Sequence, residues 1–206
     1  MSTRTYPDLD EQIMHADPIV QFQHWFDDAG KAGITQPEAM TLATASADGR
    51  PSARVVLLKL VDERGFVFYT NYDSRKGKEL SANPVAALVF FWEEMNRSVR
   101  VEGNVTKLSP YESDEYFATR PRDGQLSSLT SSQSEVVESR EVLDRRFEEL
   151  KKEYEGKTIA RPPHWGGYRV YPVRIEFWQQ RFARLNDRIV YQRRSDGSWL
   201  MQRLQP

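Results

Sequence analysis

Cysteine is absent from this 206-residue chain, which excludes a disulfide framework, a thiolate metal cluster and a catalytic thiol. Histidine is scarce: His15, His24 and His164 lie far apart without ligand spacing, so no zinc or iron centre is expected. Charge of one sign is not in excess either, with 29 Lys and Arg against 30 Asp and Glu and a formal net charge of -1. No global field then recruits nucleic acid or an anionic membrane, and any anion site must be local. No apolar run approaches the roughly 18 residues that span a bilayer. The opening MSTRTYPDLDEQ lacks the basic flank and apolar stretch of a signal peptide, so a cytoplasmic protein is expected. What the chain does have is 39% hydrophobic and 12% aromatic residues, enough for one compact domain. We expect a flexible N-terminal arm over 1–16 and a single domain over 17–206.

Within 18–33, Ile19, Phe22, Trp25 and Phe26 recur at helical spacing behind Asp17 as N-cap and Pro18 at the first helical position. From residue 40 the texture changes to MTLATAS, ARVVLLKLV and FVFYTN, separated by turns at 47–49 and 62–65, which reads as three antiparallel strands. Ser74 opens a short helix through Leu80. VAALVFFW and SVRVEGNVTKL return to strand composition, and helices are expected over 110–119 and 139–155. Three further strands close the chain, the last two joined by a Ser195-Asp196-Gly197 turn. The serine-rich stretch 124–135 reads as a functional loop in preference to a linker. Six or more strands with a few helices predict an antiparallel β-barrel of α+β type.

Three basic clusters draw the eye in a neutral chain. In DSRKGK, Ser74 can cap a helix whose free N–H groups attract an anion, with Arg75 and Lys76 adding charged donors; the plain alternative is a solvated basic helix start. Arg54 and Lys59 lie on an apolar strand, where charged side chains need partners. Simple alternation puts the two on opposite faces, so both meet one ligand only if the strand bends. Arg120-Pro121-Arg122-Asp123 follows a helix carrying Tyr116, and Arg184-Leu185-Asn186-Asp187-Arg188 follows the strand with Phe177 and Trp178. These two clusters also read as a helix end and a charged turn. No serine has a nearby histidine, and Glu93-Glu94 looks like surface, so no nucleophile with its base is evident. The chemistry then belongs to a bound, anionic cofactor.

Ten segments in order, among them RVVLLK, FYTN, SRKGKEL, NRSVRVEG, YFATRPRDGQ, SSQS, WGGYRV, IEFWQ, RLNDR and the terminal RLQP, closely resemble the pyridoxamine 5′-phosphate oxidase family from about residue 17 onward. The resemblance implies a cytoplasmic, FMN-binding split-barrel homodimer whose two flavin sites lie in the subunit interface. It implies that Arg54, Lys59, Tyr69, Thr70, Arg75, Lys76, Ser98, Gln133, Ser134, Trp178 and Arg188 hold FMN. Lys59, Tyr116, Arg120, Gly124, Arg184 and Asn186 would hold the substrate, a small phosphorylated pyridine, with Arg184 and Asn186 at the reacting face. The implied reaction oxidises pyridoxamine or pyridoxine 5′-phosphate to pyridoxal 5′-phosphate, with dioxygen as acceptor and hydrogen peroxide released. Four positions depart from the family pattern: Asn186 for histidine, Gly124 for a phosphate-contacting serine, Leu129 for tryptophan and Ser98 for glutamine. The Arg-Arg-x-Tyr segment that closes over the substrate is missing, with Arg4 and Tyr6 as weak substitutes. The departures keep two alternatives open: a flavin oxidase of another ring substrate, of the phenazine kind, and a module that binds FMN or pyridoxal phosphate without turnover.

Overall fold

The computed structural model describes residues 8–206. Helix α1 (Pro18–Lys31) starts where the Asp17 carboxylate accepts the N–H of Ile19 at 2.8 Å, with proline in its first turn. Its apolar stripe buries Ile19, Phe22, Trp25 and Ala29 against the sheet, and the Phe22 ring sits 4.9 Å from those of both Phe66 and Phe90. The remaining elements are β1 (Ala39–Ala45), β2 (Pro51–Leu57), β3 (Leu60–Asp62), β4 (Gly65–Asn71), α2 (Arg75–Ala82), β5 (Val85–Trp92) and β6 (Arg97–Lys107). Then follow α3 (Pro110–Thr119), α4 (Arg122–Thr130), α5 (Arg140–Glu153), β7 (Trp165–Gln179), β8 (Asp187–Arg193) and β9 (Trp199–Arg203).

All strands join one antiparallel sheet in the order β2-β1-β5-β6-β7-β4-β3, with β8 and β9 added beside β7. Strand β7 is long enough to pair with β4 over its first half and with β8 over its second, while β6 runs along its other edge. The sheet curls because one segment serves both of its edges. Leu58 N–H still donates to Glu38 O on the β1 side at 2.9 Å, whereas Lys59 N–H donates to Val67 O on β4 at 2.8 Å. The expectation of a single strand through ARVVLLKLV is therefore corrected: the chain breaks at 58–59, changes partner strand and closes the split barrel. Two hydrophobic cores result. The larger fills the barrel under α1, and the smaller packs Phe117, Leu126, Leu150, Ile159 and Trp165 between α3, α4, α5 and the start of β7.

The loop expected over 124–135 is a second correction, since α4 occupies its first half. Leu126 is fully buried and Leu129 packs beside it one helical turn on, while the Ser127 and Ser128 hydroxyls donate back to Gly124 O at 3.0 and 3.1 Å. Serine-rich composition hid an apolar i, i+3 pair. Of the stretch 1–16 expected as an arm, residues 8–16 lie against the barrel and 1–7 are outside the described residues. Leu9 and Met14 enter the core, Leu9 N–H donates to Asp187 at 3.1 Å, and the Tyr191 hydroxyl donates to His15 O at 2.8 Å. Arg4 and Tyr6 lie outside the described residues. Among the described residues no helix is long and apolar enough to cross a membrane.

Candidate active site

A cleft of about 820 Å³ opens between β2, β4, α2, α3 and α4. At one end α2 begins, where Ser74 accepts the Gly77 N–H at 3.3 Å and donates to Asn71 O at 2.7 Å. A Cβ at Gly77 would stand 2.0 Å from Tyr72 O, so only glycine lets α2 approach the end of β4 this closely. Lys76 then points inward, donating to Thr70 Oγ1 at 3.1 Å and Gln133 Oε1 at 2.9 Å. Burial, with the nearby Arg54 charge, pushes its ammonium down to about 8. Arg54 lines the same end, and the loop after α4 docks there, the Ser134 hydroxyl accepting the Arg75 N–H at 3.2 Å. Ser134 holds φ +77 to do so, a backbone setting uncommon outside glycine. Behind Arg54 lies a buried carboxylate, Glu79, which accepts from Ser52 at 2.6 Å, from Thr44, from Arg75 Nε at 2.9 Å and from Arg54 Nη2 at 3.3 Å. Burial works to raise its pKa, but the hydrogen bonds from Ser52, Thr44 and Arg75 and the Arg54 charge outweigh it and hold Glu79 at about 2.

The other end is aromatic and cationic. Tyr69 stacks on Tyr116 with ring centroids 3.8 Å apart, Trp165 lies parallel 5.4 Å from Tyr69, and the Arg120 guanidinium sits 4.6 Å over Trp165. Arg120 Nη1 donates to the buried Ser128 hydroxyl at 2.5 Å. Burial and the adjacent Tyr116 push the Tyr69 phenol up to about 12, so it stays a hydrogen-bond donor near neutral pH. Lys59 reaches this cleft because of the partner-strand change at 58–59, and Arg54 reaches it from the far side of the break. The change of partner strand thus sets Arg54 and Lys59 in one cleft. No aspartate, glutamate or histidine is among the cleft-lining residues, so the described side chains offer cations, hydroxyls and aromatic faces instead of a carboxylate or imidazole base.

Residues 26–154 match the family described as pyridoxamine 5′-phosphate oxidase. The chain belongs to that family. Residues 165–206 match the pyridoxine 5′-phosphate oxidase C-terminal dimerisation region. Among pyridoxine/pyridoxamine 5′-phosphate oxidases, the chain is 55% identical to that of Nostoc punctiforme over 98% of its length and 94% of the relative's. It is 58% identical to that of Rubrobacter xylanophilus, over 96% of this chain and 91% of the relative. In structure it superposes on PhzG from Burkholderia lata 383, solved in complex with tetrahydrophenazine-1-carboxylic acid, with TM-score 0.91 at 33% identity over 96% of this chain and 98% of that one. A pyridoxamine 5′-phosphate oxidase-related, FMN-binding protein from Nostoc punctiforme shares the fold at TM-score 0.76 and 16% identity, over 94% of this chain and 100% of that one.

In this oxidase family member the sequence-nominated residues fall into two groups. Arg54, Lys59, Tyr69, Thr70, Lys76, Tyr116, Arg120 and Gln133 line the cleft, with Arg75 and Ser134 at its edge and Gly124 one helical turn from Ser128, behind Arg120. Ser98, Trp178, Arg188, Arg184 and Asn186 do not line it. Ser98, Trp178 and Arg188 instead form a row across β6, β7 and β8, next to Phe91 of β5. The Ser98 hydroxyl is used by Phe90 O at 2.8 Å, and Arg188 forks onto Glu176 at 2.8 and 3.2 Å. Arg184 lies exposed at φ +62, on a turn where Asn186 Oδ1 accepts the Arg181 N–H at 2.9 Å. Four contributors escaped the sequence reading: Glu79, Ser128, Trp165 and Glu176. Only Glu79 left a local trace, its i, i+4 spacing from Arg75.

Proposed function

We propose that the chain is an FMN-dependent oxidase that converts pyridoxamine or pyridoxine 5′-phosphate to pyridoxal 5′-phosphate. The observation that carries the substrate reading is one cleft with two cationic ends: Arg54 and Lys76 at the α2 end, Lys59 and Arg120 at the other, with stacked Tyr69 and Tyr116 lining it. A phosphorylated cofactor and a phosphorylated ring substrate together need two such anchors. The donor set fits FMN. Arg54, Arg75 and Lys76 would hold its phosphate on the capped start of α2, with Thr70, Gln133 and Ser134 as neutral partners and Lys59 and Tyr69 farther along the cleft. When bound, FMN supplies the acceptor for the hydride leaving the substrate carbon that bears the amine or alcohol, and dioxygen takes up the electrons as hydrogen peroxide.

The chain's own residues bind, orient and enclose. Lys59, Tyr116 and Arg120 would hold the substrate phosphate, Trp165 and Ser128 fixing the Arg120 plane. Gly124 brings no hydroxyl of its own there. Ser98, Trp178, Arg188, Arg184 and Asn186 would serve the cleft of the other subunit across the homodimer, since within one subunit they stand apart from it. The likeness to PhzG gives a second reading, oxidation of a phenazine-type ring acid. The two further cations Lys59 and Arg120 in the same cleft favour the phosphorylated substrate. Purified FMN-loaded protein is to be assayed with pyridoxamine 5′-phosphate, following hydrogen peroxide and pyridoxal 5′-phosphate together. Equal formation of both supports the oxidase; bound FMN without turnover moves the weight to another ring substrate or to a binding role. Arg184→Ala should retain flavin and lose most turnover, and equal loss of both would remove Arg184 from the substrate face.

A further inference from the structure

A buried anion beside an anion cradle calls for a reason. By Coulomb's law the Glu79 carboxylate repels any phosphate held by Arg54, Arg75 and Lys76, and its depressed pKa keeps it charged. We propose that Glu79 is the positioning residue of the flavin-phosphate site, holding Arg54 and Arg75 in the orientation in which both meet one phosphate. The inference rests on the placement of that phosphate proposed above.

The hydrogen bonds around Glu79 have direction. Arg54 is tied at both terminal nitrogens, Nη1 donating to Thr44 Oγ1 at 2.6 Å and to Leu42 O at 3.3 Å, Nη2 to the Ser52 hydroxyl and to Glu79 Oε2 at 3.3 Å, so that Nε is left to meet a ligand; the Thr44 and Ser52 hydroxyls each donate a hydrogen bond to Glu79 Oε2. The other carboxylate oxygen takes Arg75 Nε at 2.9 Å and leaves the two Nη groups of Arg75 outside this contact. Arg75 is 66% exposed, so without this anchor its long side chain would sample solvent and lose rotamer entropy on each binding event. Glu79 therefore sacrifices some attraction to pre-order two guanidiniums. With it, Arg54, Arg75 and Lys76 keep two net positive charges, the magnitude that a phosphate monoester carries near neutral pH. Neither Glu79 nor its hydroxyl partners Thr44 and Ser52 lines the cleft, so their effect on a ligand passes through the arginines.

The test is titration of flavin-free, full-length protein with FMN and with riboflavin, which lacks the phosphate, following flavin fluorescence. Glu79→Gln should weaken FMN about 10- to 100-fold, the scale of hydrogen bonds to charged groups, while riboflavin binds as in the wild type. Ser52→Ala, which keeps the carboxylate and removes one tether, should show the same selectivity more weakly and decides the matter alone if Glu79→Gln does not fold. FMN affinity that is unchanged or tighter in these variants overturns the proposal, and so does an equal loss for both flavins, which would mark Glu79 as structural support only. Arg54→Ala separates the two levels of inference. If it leaves the preference for FMN over riboflavin intact, the phosphate site itself is misplaced; if it abolishes that preference while Glu79→Gln does not, only the role of Glu79 falls.

Discussion

Lys76 carries the pH behaviour of the site. Its ammonium is buried among Thr70, Ser74 and Gln133 with Arg54 nearby, and its pKa stands at about 8 in place of the usual 10.5. A phosphate placed against it favours the charged form and raises that value, so binding takes up a proton. Attraction is then complete below the free-state value and fades as pH rises through about 8. FMN affinity should hold below about pH 8 and fall as pH rises above it, until the raised bound-state value is passed, by at most about tenfold per pH unit since one proton is involved. Lys76→Arg should flatten the profile, and a wild-type affinity independent of pH would remove Lys76 from the phosphate site. At the opposite end, Arg120→Ala should raise KM for pyridoxamine 5′-phosphate about 10- to 100-fold with FMN affinity unchanged, because a charged hydrogen bond is lost on the substrate side only. Steady-state kinetics beside flavin titration checks both halves of that statement.

At the scale of the element, α2 is the piece on which the proposed flavin-phosphate end depends. Its eight residues form a marginal helix alone, and Ser74, Gly77 and Glu79 each give it a fixed seat on β4 and β2. Gly77→Ala would drive a methyl into Tyr72 O, so α2 must shift. The expected cost is roughly 1–3 kcal/mol of stability, read as a lower Tm, together with weakened FMN retention. Ser74→Ala removes the cap together with the bond to Asn71 O and should cost about 1–3 kcal/mol. The α4 segment shows the reverse relation between composition and structure. Five of its neighbours from Gly124 to Thr130 are polar or glycine, yet buried Leu126 against Phe117, Leu150 and Trp165 is enough to make the stretch helical and to set Ser128 on Arg120.

At the scale of the whole molecule, one subunit displays apolar residues that a solitary chain has no reason to expose. Phe182 is 94% exposed and Phe91 60%, the latter beginning the row that continues through Ser98, Trp178 and Arg188. The match of 165–206 to a dimerisation region puts Phe182, Trp178 and Arg188 in a segment of subunit contact, and Phe91 and Ser98 lie in the same row. Phe91→Glu should therefore shift the protein from dimer toward monomer by size-exclusion chromatography, and FMN affinity should fall in parallel if each site draws on both subunits. A monomer that keeps full FMN affinity would confine the site to the single-subunit cleft.

The sequence by itself determined most of the elements, the barrel class and the cationic candidates, but not α4, whose serine-rich composition read as a loop. Capping at Asp17 and Ser74, alternation along β1 and β5, and basic clusters in a neutral chain are all effects of near neighbours, and near neighbours are what a sequence displays. The change of partner strand at Lys59, the carboxylates of Glu79 and Glu176 beneath their arginines, and the Trp165 platform under Arg120 were decided by tertiary structure alone. Each depends on which strand edge or helix lies alongside, and that follows from closure of the whole sheet. Alternation placed Arg54 and Lys59 on opposite faces, and only the closing bend set both into one cleft.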